Sequence, residues 1–300
     1  MNPIDLHTHT TKSDGTFSPE DLVRYARVKG LSAVALTDHD TADGIAEAVA
    51  AAEQMRREAA LCGREDLIPE VIPGVELSTE YNGSDIHIVG LFIDWKGPHF
   101  NDQLKKFADA RIYRNRRMCD LLTQAGYPAS YDEITAMNPD TVIARPHIAR
   151  YLLEKGYVSS VKEAFNRLIG DDCPCFVPRE KISPRDAVRF LLRFDAVPIL
   201  AHPLQYKMSQ PELESLLQSL CEEGLEGIEV YYCTHKEADT AELTRLAYRY
   251  GLLLSGGSDF HGKNKENLDL GTGYGHLYVP DTILPPIRER AMKHRECHSR

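Results

Sequence analysis

Apolar and polar positions along the chain follow two periods in alternation. Short runs such as Ala33-Val34-Ala35-Leu36, Ile72-Pro73-Gly74-Val75, Ile86-His87-Ile88-Val89-Gly90-Leu91 and Ala196-Val197-Pro198-Ile199-Leu200 are separated by stretches with helical spacing. This is the pattern of parallel strands joined by crossover helices, and it predicts an α/β fold. Strands are expected to end near Leu6, Thr37, Glu76, Phe92, Leu200, Val230 and Leu254, with helices over Pro19 to Lys29 and Thr41 to Ala60. Ser18-Pro19-Glu20-Asp21 is a strong helix start: a capping hydroxyl, proline in the first turn, then acids facing the positive helix end.

The alternation stops after Trp95-Lys96-Gly97-Pro98. From 101 to 187 the spacing is almost wholly helical, with Leu104, Phe107, Ile112, Met118, Leu122 and Ala125 marking the expected buried stripe of one long amphipathic segment. Residues 101–187 therefore read as an inserted helical subdomain overhanging a barrel-like part made of 1–100 and 188–300. The basic tail after Ile287 reads as a solvated helix end. Cys173-Pro174-Cys175 reads as a turn, since no second cysteine or histidine pair stands nearby.

Chemistry concentrates where the apolar runs stop, the side on which α/β folds place their sites. Ile4-Asp5-Leu6 runs into His7-Thr8-His9 and then Asp14; residues two apart in extended chain share a side, so the two imidazoles can face one metal. Ala33 to Leu36 runs into Thr37-Asp38-His39-Asp40, three ionisable groups that are expensive to bury unpaired. Val75 is followed by Glu76, a carboxylate able to bridge two cations. His87 opens an apolar run, His202 follows Leu200-Ala201, and Asp259 and His261 follow a glycine pair after Leu252-Leu253-Leu254. Each motif alone also suits an ordinary hydrogen-bonded or solvated group. Together they bring six of the twelve histidines and three carboxylates to one mouth, a ligand set for divalent metals.

With 300 residues and 42% hydrophobic content the chain can bury a large core. Its net charge of −10 argues against a surface built for nucleic acid or anionic membrane, so an anionic substrate must be held locally. The opening Met1-Asn2-Pro3-Ile4-Asp5 lacks a secretory pattern, and no apolar run approaches the roughly 18 residues that span a bilayer. A cytoplasmic protein is expected, without a membrane or stable nucleic-acid partner and with reduced thiols rather than a disulfide frame.

The motifs His7-Thr8-His9, Ser13-Asp14-Gly15, Thr37-Asp38-His39-Asp40, Pro73-Gly74-Val75-Glu76, His202-Pro203 and Ser258-Asp259-Phe260-His261 resemble, in identity and order, the PHP (polymerase and histidinol phosphatase) family of metal-dependent phosphoesterases. The resemblance implies a distorted (β/α)7 barrel with metal ligands His7, His9, Asp14, His39, Glu76, His87, His202, Asp259 and His261. Of these, His7, His9, Asp14, His39, Glu76, Asp259 and His261 are the catalytic candidates. The aspartate at position 14 is similar to the branch of 3′,5′-nucleotide bisphosphate phosphatases, 5′-to-3′ exoribonucleases of short RNA, and cyclic phosphate dihydrolases, a branch that also carries a helical insertion. Segments Ala144 to Ala149 and Val177 to Lys181 are similar to its insertion motifs, which makes Arg145 and Arg179 candidates for gripping phosphate. His235 falls where similar proteins have a substrate-side histidine.

The expected reaction is hydrolysis of a small nucleotide or sugar phosphate, or a short RNA 5′ end, by a hydroxide bridging two of two or three divalent ions. Mn²⁺ is the expected metal, with Fe²⁺ or Zn²⁺ as alternatives. The rival readings are a cyclic phosphate dihydrolase acting on a ribose cyclic phosphate, an amidohydrolase acting on a C–N bond, and a non-catalytic metal- or nucleotide-binding module.

Overall fold

The computed structural model describes residues 2–62, 68–139, 143–178 and 182–298. Among these, seven strands form one sheet in chain order: β1 (Ile4–Asp5), β2 (Ala33–Leu36), β3 (Glu70–Tyr81), β4 (Ser84–Leu91), β5 (Val197–Leu200), β6 (Gly227–Tyr232) and β7 (Leu253–Gly257). The sheet curls until its edges meet: Leu6 N donates to Gly256 O at 3.1 Å, and Thr8 bridges Phe260 just past the strand ends. The result is a nearly closed, distorted (β/α)7 barrel. Helices α1 (Pro19–Val28) and α2 (Ile45–Leu61) pack on its outer wall. Between β4 and β5 come α3 (Pro98–Gln124), α4 (Tyr131–Met137), α5 (Arg145–Glu154), α6 (Val161–Ala164) and α7 (Pro184–Leu192); α8 (Gln210–Cys221), α9 (Glu237–Tyr250) and α10 (Leu284–His298) complete the chain.

Strand alternation sorts the apolar side chains into two layers. Val34, Leu36, Leu77, Ile86, Ile88 and Leu200 pack outward with the helices, whereas Ala33, Ala35, Ile72, Val89, Leu91, Val197 and Ile199 fill the interior. The interior is plugged from below by α10, through Ile287 and Ala291. The basic tail is thus more than a solvated end: Arg288 pairs with Glu70 at 2.5 and 2.7 Å, Arg290 and His294 both meet Glu226, and Arg295 donates to Phe92 O. Among the described residues no helix is long and apolar enough to cross a membrane.

Three sequence expectations are corrected. The strands are not all parallel: β3 continues past Glu76 to Tyr81 and turns through Asn82 (φ 50°) and Gly83 (φ 77°) into β4, which runs antiparallel to both neighbours. Two left-handed residues between paired Tyr81 and Ser84 make the tight hairpin that an Asn-Gly pair favours. Helix α2 starts at Ile45 rather than Thr41, because Asp40 takes a left-handed φ of 54° and the next residues turn. Along α3, Ile112 and Ala125 are exposed. Leu104 belongs to the barrel core, whereas Met118 and Leu122 belong to a separate core with Ile134, Ile148 and Leu152, so one helix serves two cores; the Phe107 side chain lies outside the described residues. Helix α7 lays Ala187, Val188 and Leu191 on the barrel wall.

Gly257 ends β7 against β1. A Cβ there would lie 2.5 Å from both the backbone nitrogen and the Cβ of His7. Gly257→Ala is expected to cost about 1–3 kcal/mol by overpacking and to displace His7. A thermal midpoint and metal stoichiometry equal to the parent's would contradict this.

Candidate metal centre

Each ligand reaches the mouth by a backbone device. In β3, Glu76 has the same parity as interior Ile72 and sits two inward positions further along, past Gly74; in β4, His87 has the parity of interior Val89 and Leu91. Because β4 is antiparallel, its start lies at the rim where the parallel strands end. That explains how a histidine opening its strand joins those that follow theirs. Asp259 N donates to His7 O and His9 N to Phe260 O, both at 2.9 Å, while Asp40 N donates to Glu76 O at 3.0 Å, so the segments carrying the ligands continue the sheet as single rungs. His202 and Asp259 take positive φ values of 25° and 56°. Such backbone costs on the order of 1–3 kcal/mol each and is held here by the surrounding rungs.

The nine side chains named from the sequence form one network. Glu76 stands at its centre, 1% exposed. Its Oε2 lies 3.3, 3.2 and 3.0 Å from His7 Nε2, His9 Nε2 and His39 Nδ1, while its Oε1 lies 2.8 and 3.1 Å from His87 Nδ1 and His202 Nε2. Asp259 Oδ1 lies 3.3 Å from both His9 Nε2 and His261 Nδ1, and Asp14 Oδ1 lies 3.2 Å from His261 Nε2. Three groups bring donor atoms within 4.8 Å of one another: His9, Asp14, His39 and His261; His7, His9 and Glu76; His39, Glu76 and His87. Any two of these share one residue.

The donor atoms fit divalent ions. Nε2 of His7 and of His9, Nδ1 of His39, Oδ1 of Asp14 and Oε2 of Glu76 are buried without a hydrogen-bond partner among the described residues. Each such atom costs about 1–3 kcal/mol if left unsatisfied. Shared cations would satisfy them all, and mixed imidazole and carboxylate ligation suits first-row transition metals.

A second layer aims the ligands. Glu229 accepts from His7 Nδ1 at 2.9 Å and from His202 N at 2.7 Å, which turns the free Nε2 of His7 inward. His261 Nδ1 donates to the Asp259 carbonyl at 2.9 Å and directs Nε2 toward Asp14. Tyr232 OH donates to Asp259 Oδ2 at 2.7 Å and Lys265 Nζ binds the same oxygen, leaving Oδ1 to the cluster. Asp38, buried, accepts from Thr10 N, Thr10 Oγ1 and Ser13 Oγ at 2.7 Å each, so it shapes the loop of His9 and Asp14 while its neighbour His39 enters the cluster. Asp5 holds Ser258 and Gly271 in the same way; burial raises its pKa to about 6 against those hydrogen bonds. Sequence reasoning missed Glu229, Asp5, Tyr232 and Lys265 as supports. The first two were legible as carboxylates inside apolar strands; Tyr232 and Lys265 carried no signal.

Burial alone would raise the carboxyls of Glu76, Asp14 and Asp259, but the facing imidazoles, and Lys265 beside Asp259, overcome it and hold all three well below the usual carboxylate range. His39 is pushed down to about 3 by burial, against Glu76 and Asp14, and stays neutral for ligation. His9 goes the other way: burial opposes its charge, yet Asp259, Glu76 and Asp14 push it up to about 9. Below that pH a metal must displace the His9 proton, and His7, raised against burial by Glu229, Glu76 and Asp259, adds a second, so apparent metal affinity is expected to rise at least about tenfold per unit as pH increases toward 9. Calorimetric titration with Mn²⁺ across this range checks it, and a flat affinity would count against the assignment.

Above the cluster lies a cleft of about 450 Å³, with Asp14, His39 and His87 at its floor and Arg114, Arg145, Phe165 and Phe176 on the side of the inserted helices. Arg145 is therefore brought to the site, where it pairs with Asp171 and lies 3.6 Å from Asp85. Arg150 of α5 donates to Asn264, whose Nδ2 donates to the Asp14 carbonyl at 2.6 Å, tying the helices between β4 and β5 to the Asp14 loop. Arg179 lies outside the described residues. His235 does not line this cleft: it borders another cavity with Tyr231, Lys236 and His276, its Nδ1 donating to Val230 O at 3.0 Å.

Residues 5–171 match the PHP domain family. The chain is 36% identical over 273 residues to a 5′-3′ exoribonuclease of Haemophilus influenzae, covering 88% of this chain and 95% of that protein. It is 33% identical over 289 residues to a 3′,5′-nucleoside bisphosphate phosphatase of Chromobacterium violaceum, covering 96% and 94%. A solved structure from Bifidobacterium adolescentis, described as a metal-dependent phosphoesterase, superposes with a TM-score of 0.80 at 28% identity over 97% of this chain and 98% of that one.

Proposed function

The chain belongs to the PHP domain family and is a metal-dependent phosphoesterase, and from that premise we propose that it hydrolyses a phosphate ester of a small nucleotide: a nucleoside 3′,5′-bisphosphate or the 5′ end of a short RNA. The observation that carries this reading is the pair of Glu76 oxygens, each facing its own set of imidazoles beneath a cleft of nucleotide size. The site would take two or three divalent ions, with Mn²⁺ proposed on the mixed nitrogen and oxygen set and Fe²⁺ or Zn²⁺ as the other metals it suits. Such ions, when bound, supply a water that ionises near neutral pH and offset charge on the phosphoryl oxygens.

The chain's own residues supply the geometry. Glu229 fixes the tautomer of His7, Tyr232 and Lys265 fix the rotation of Asp259, and the Arg150-Asn264 link holds the inserted helices over the Asp14 loop. Arg145 is the proposed substrate contact on the cleft wall. The free cysteines among the described residues suit the reducing cytoplasm, where we place the reaction.

Product formation by Mn²⁺-loaded protein tests the reading, followed as phosphate release from adenosine 3′,5′-bisphosphate and simple monoesters, as mononucleotide release from 5′-phosphorylated short RNA, and as ring opening of ribose cyclic phosphate. Turnover of the first two well above the others is expected. Exclusive turnover of the cyclic phosphate would overturn the substrate class, and full metal binding without any of these products would overturn hydrolysis.

A further inference from the structure

The two ends of the cleft differ in chemistry. The floor presents the ligand histidines and, when loaded, the cations. The opposite end is built by the insertion from two phenyl rings and one guanidinium: the Arg145 guanidinium lies 5.9 Å from the Phe165 centroid and 5.4 Å from that of Phe176. Asp171 and Asp85 already neutralise its charge. It therefore serves as a planar surface more than as a free cation.

The backbone holds this surface in place. Phe165 opens a single π-helical turn (Phe165–Ile169), a local irregularity common at functional sites. Its carbonyl accepts from Gly170 N at 2.9 Å and from the Cys173 thiol at 3.3 Å, and a Cβ at Gly170 would lie 2.3 Å from that same oxygen. Both rings are only half-buried and border the cleft. Apolar, planar groups kept against open space favour a planar partner that covers them.

Charge fixes the orientation of that partner. Asp85, Asp171 and Asp172 border the same end of the cleft. Among the described residues the Arg145 guanidinium is already engaged by Asp85 and Asp171, whereas a phosphate at the floor meets the metal centre. The complementary ligand presents the phosphate ester to be cleaved at one end and an uncharged flat ring at the other.

We infer that Arg145, Phe165 and Phe176 form a nucleobase platform, so that the substrate is a nucleotide whose base stacks beneath the inserted helices while its ester phosphate lies at the cluster. This rests on the phosphoesterase reading and narrows it, since a ribose cyclic phosphate has no flat aromatic base to cover the platform.

The test compares Phe176→Leu and Phe165→Leu, which keep apolar volume but remove the π face, with Phe176→Tyr, which restores it. In Mn²⁺-loaded full-length protein, the ratio of kcat/KM for adenosine 3′,5′-bisphosphate to that for a base-free ribose bisphosphate is expected to fall on the order of tenfold in the leucine variants, mainly through KM, and to recover in the tyrosine variant. Binding of unphosphorylated adenosine should weaken in parallel. Equal losses on both substrates, or an unchanged ratio, would overturn the platform. If the parent hydrolyses neither substrate yet adenosine binding still depends on Phe176, the platform stands and the phosphoesterase reading falls.

Discussion

Glu76→Ala is expected to reduce phosphoester hydrolysis by more than about 100-fold, beyond the usual effect of losing an outer supporting residue, and to lower metal stoichiometry with it. The reason is position rather than charge alone. Glu76 lies within 3.3 Å of five imidazoles, with Oε2 serving His7, His9 and His39 and Oε1 serving His87 and His202. Removing it leaves a cluster of buried histidines without their shared counter-charge, and bound cations would have to be held without a bridging anion. Glu76→Gln keeps the volume and removes the charge, so it separates the two contributions. It is expected to lose most activity as well. Initial rates on adenosine 3′,5′-bisphosphate and elemental analysis of the purified variants check this, and near-parent rates in Glu76→Ala would end the metal-centre assignment.

The second large effect is expected at Glu229, which is buried and whose hydrogen bonds go to the candidate ligands His7 and His202. Glu229→Ala leaves two buried donors without an acceptor, at about 1–3 kcal/mol each, and frees the His7 ring to rotate or change tautomer. Metal affinity or activity should drop ~10- to 100-fold. Glu229→Gln keeps one oxygen acceptor and should recover part of the loss. A Glu229→Ala variant with parent affinity and parent rate would show that the rung between His7 O and Asp259 N suffices to hold the ligand.

Much of the architecture was legible in the apolar pattern because it depends on local periodicity. The β2 and β5 runs and the α1 cap are short-range features, and Ser18 does accept from Asp21 N as its position implies. The β4 direction was missed for a reason the sequence contained: Asn82-Gly83 between two apolar runs is a hairpin signal, and reading it would have converted a supposed crossover into a tight turn. The spread of α3 across two cores was not legible. Helical spacing marks which residues share a face, but not which body that face meets, and Ile112 keeps the apolar character of a core position while lying in water.

For the site, the candidate ligands were legible and the residues that support them were not. Histidines and carboxylates placed where apolar strands stop are costly unless they converge, so residue type and position together pointed to His7, His9, Asp14, His39, Glu76, His87, His202, Asp259 and His261. The sequence by itself determined the fold class, the metal-binding chemistry and the family, because each follows from which residue type falls at which phase of a strand. Only the tertiary structure decided the rest. Barrel closure brought Asp5 beside Ser258 and Glu229 beside His7, the antiparallel β4 delivered His87 to the common rim, and packing of the insertion set Phe165, Phe176 and Arg145 over the cleft. Those relations join positions as many as 253 residues apart, and no local period encodes a contact that exists only once the sheet has curled shut.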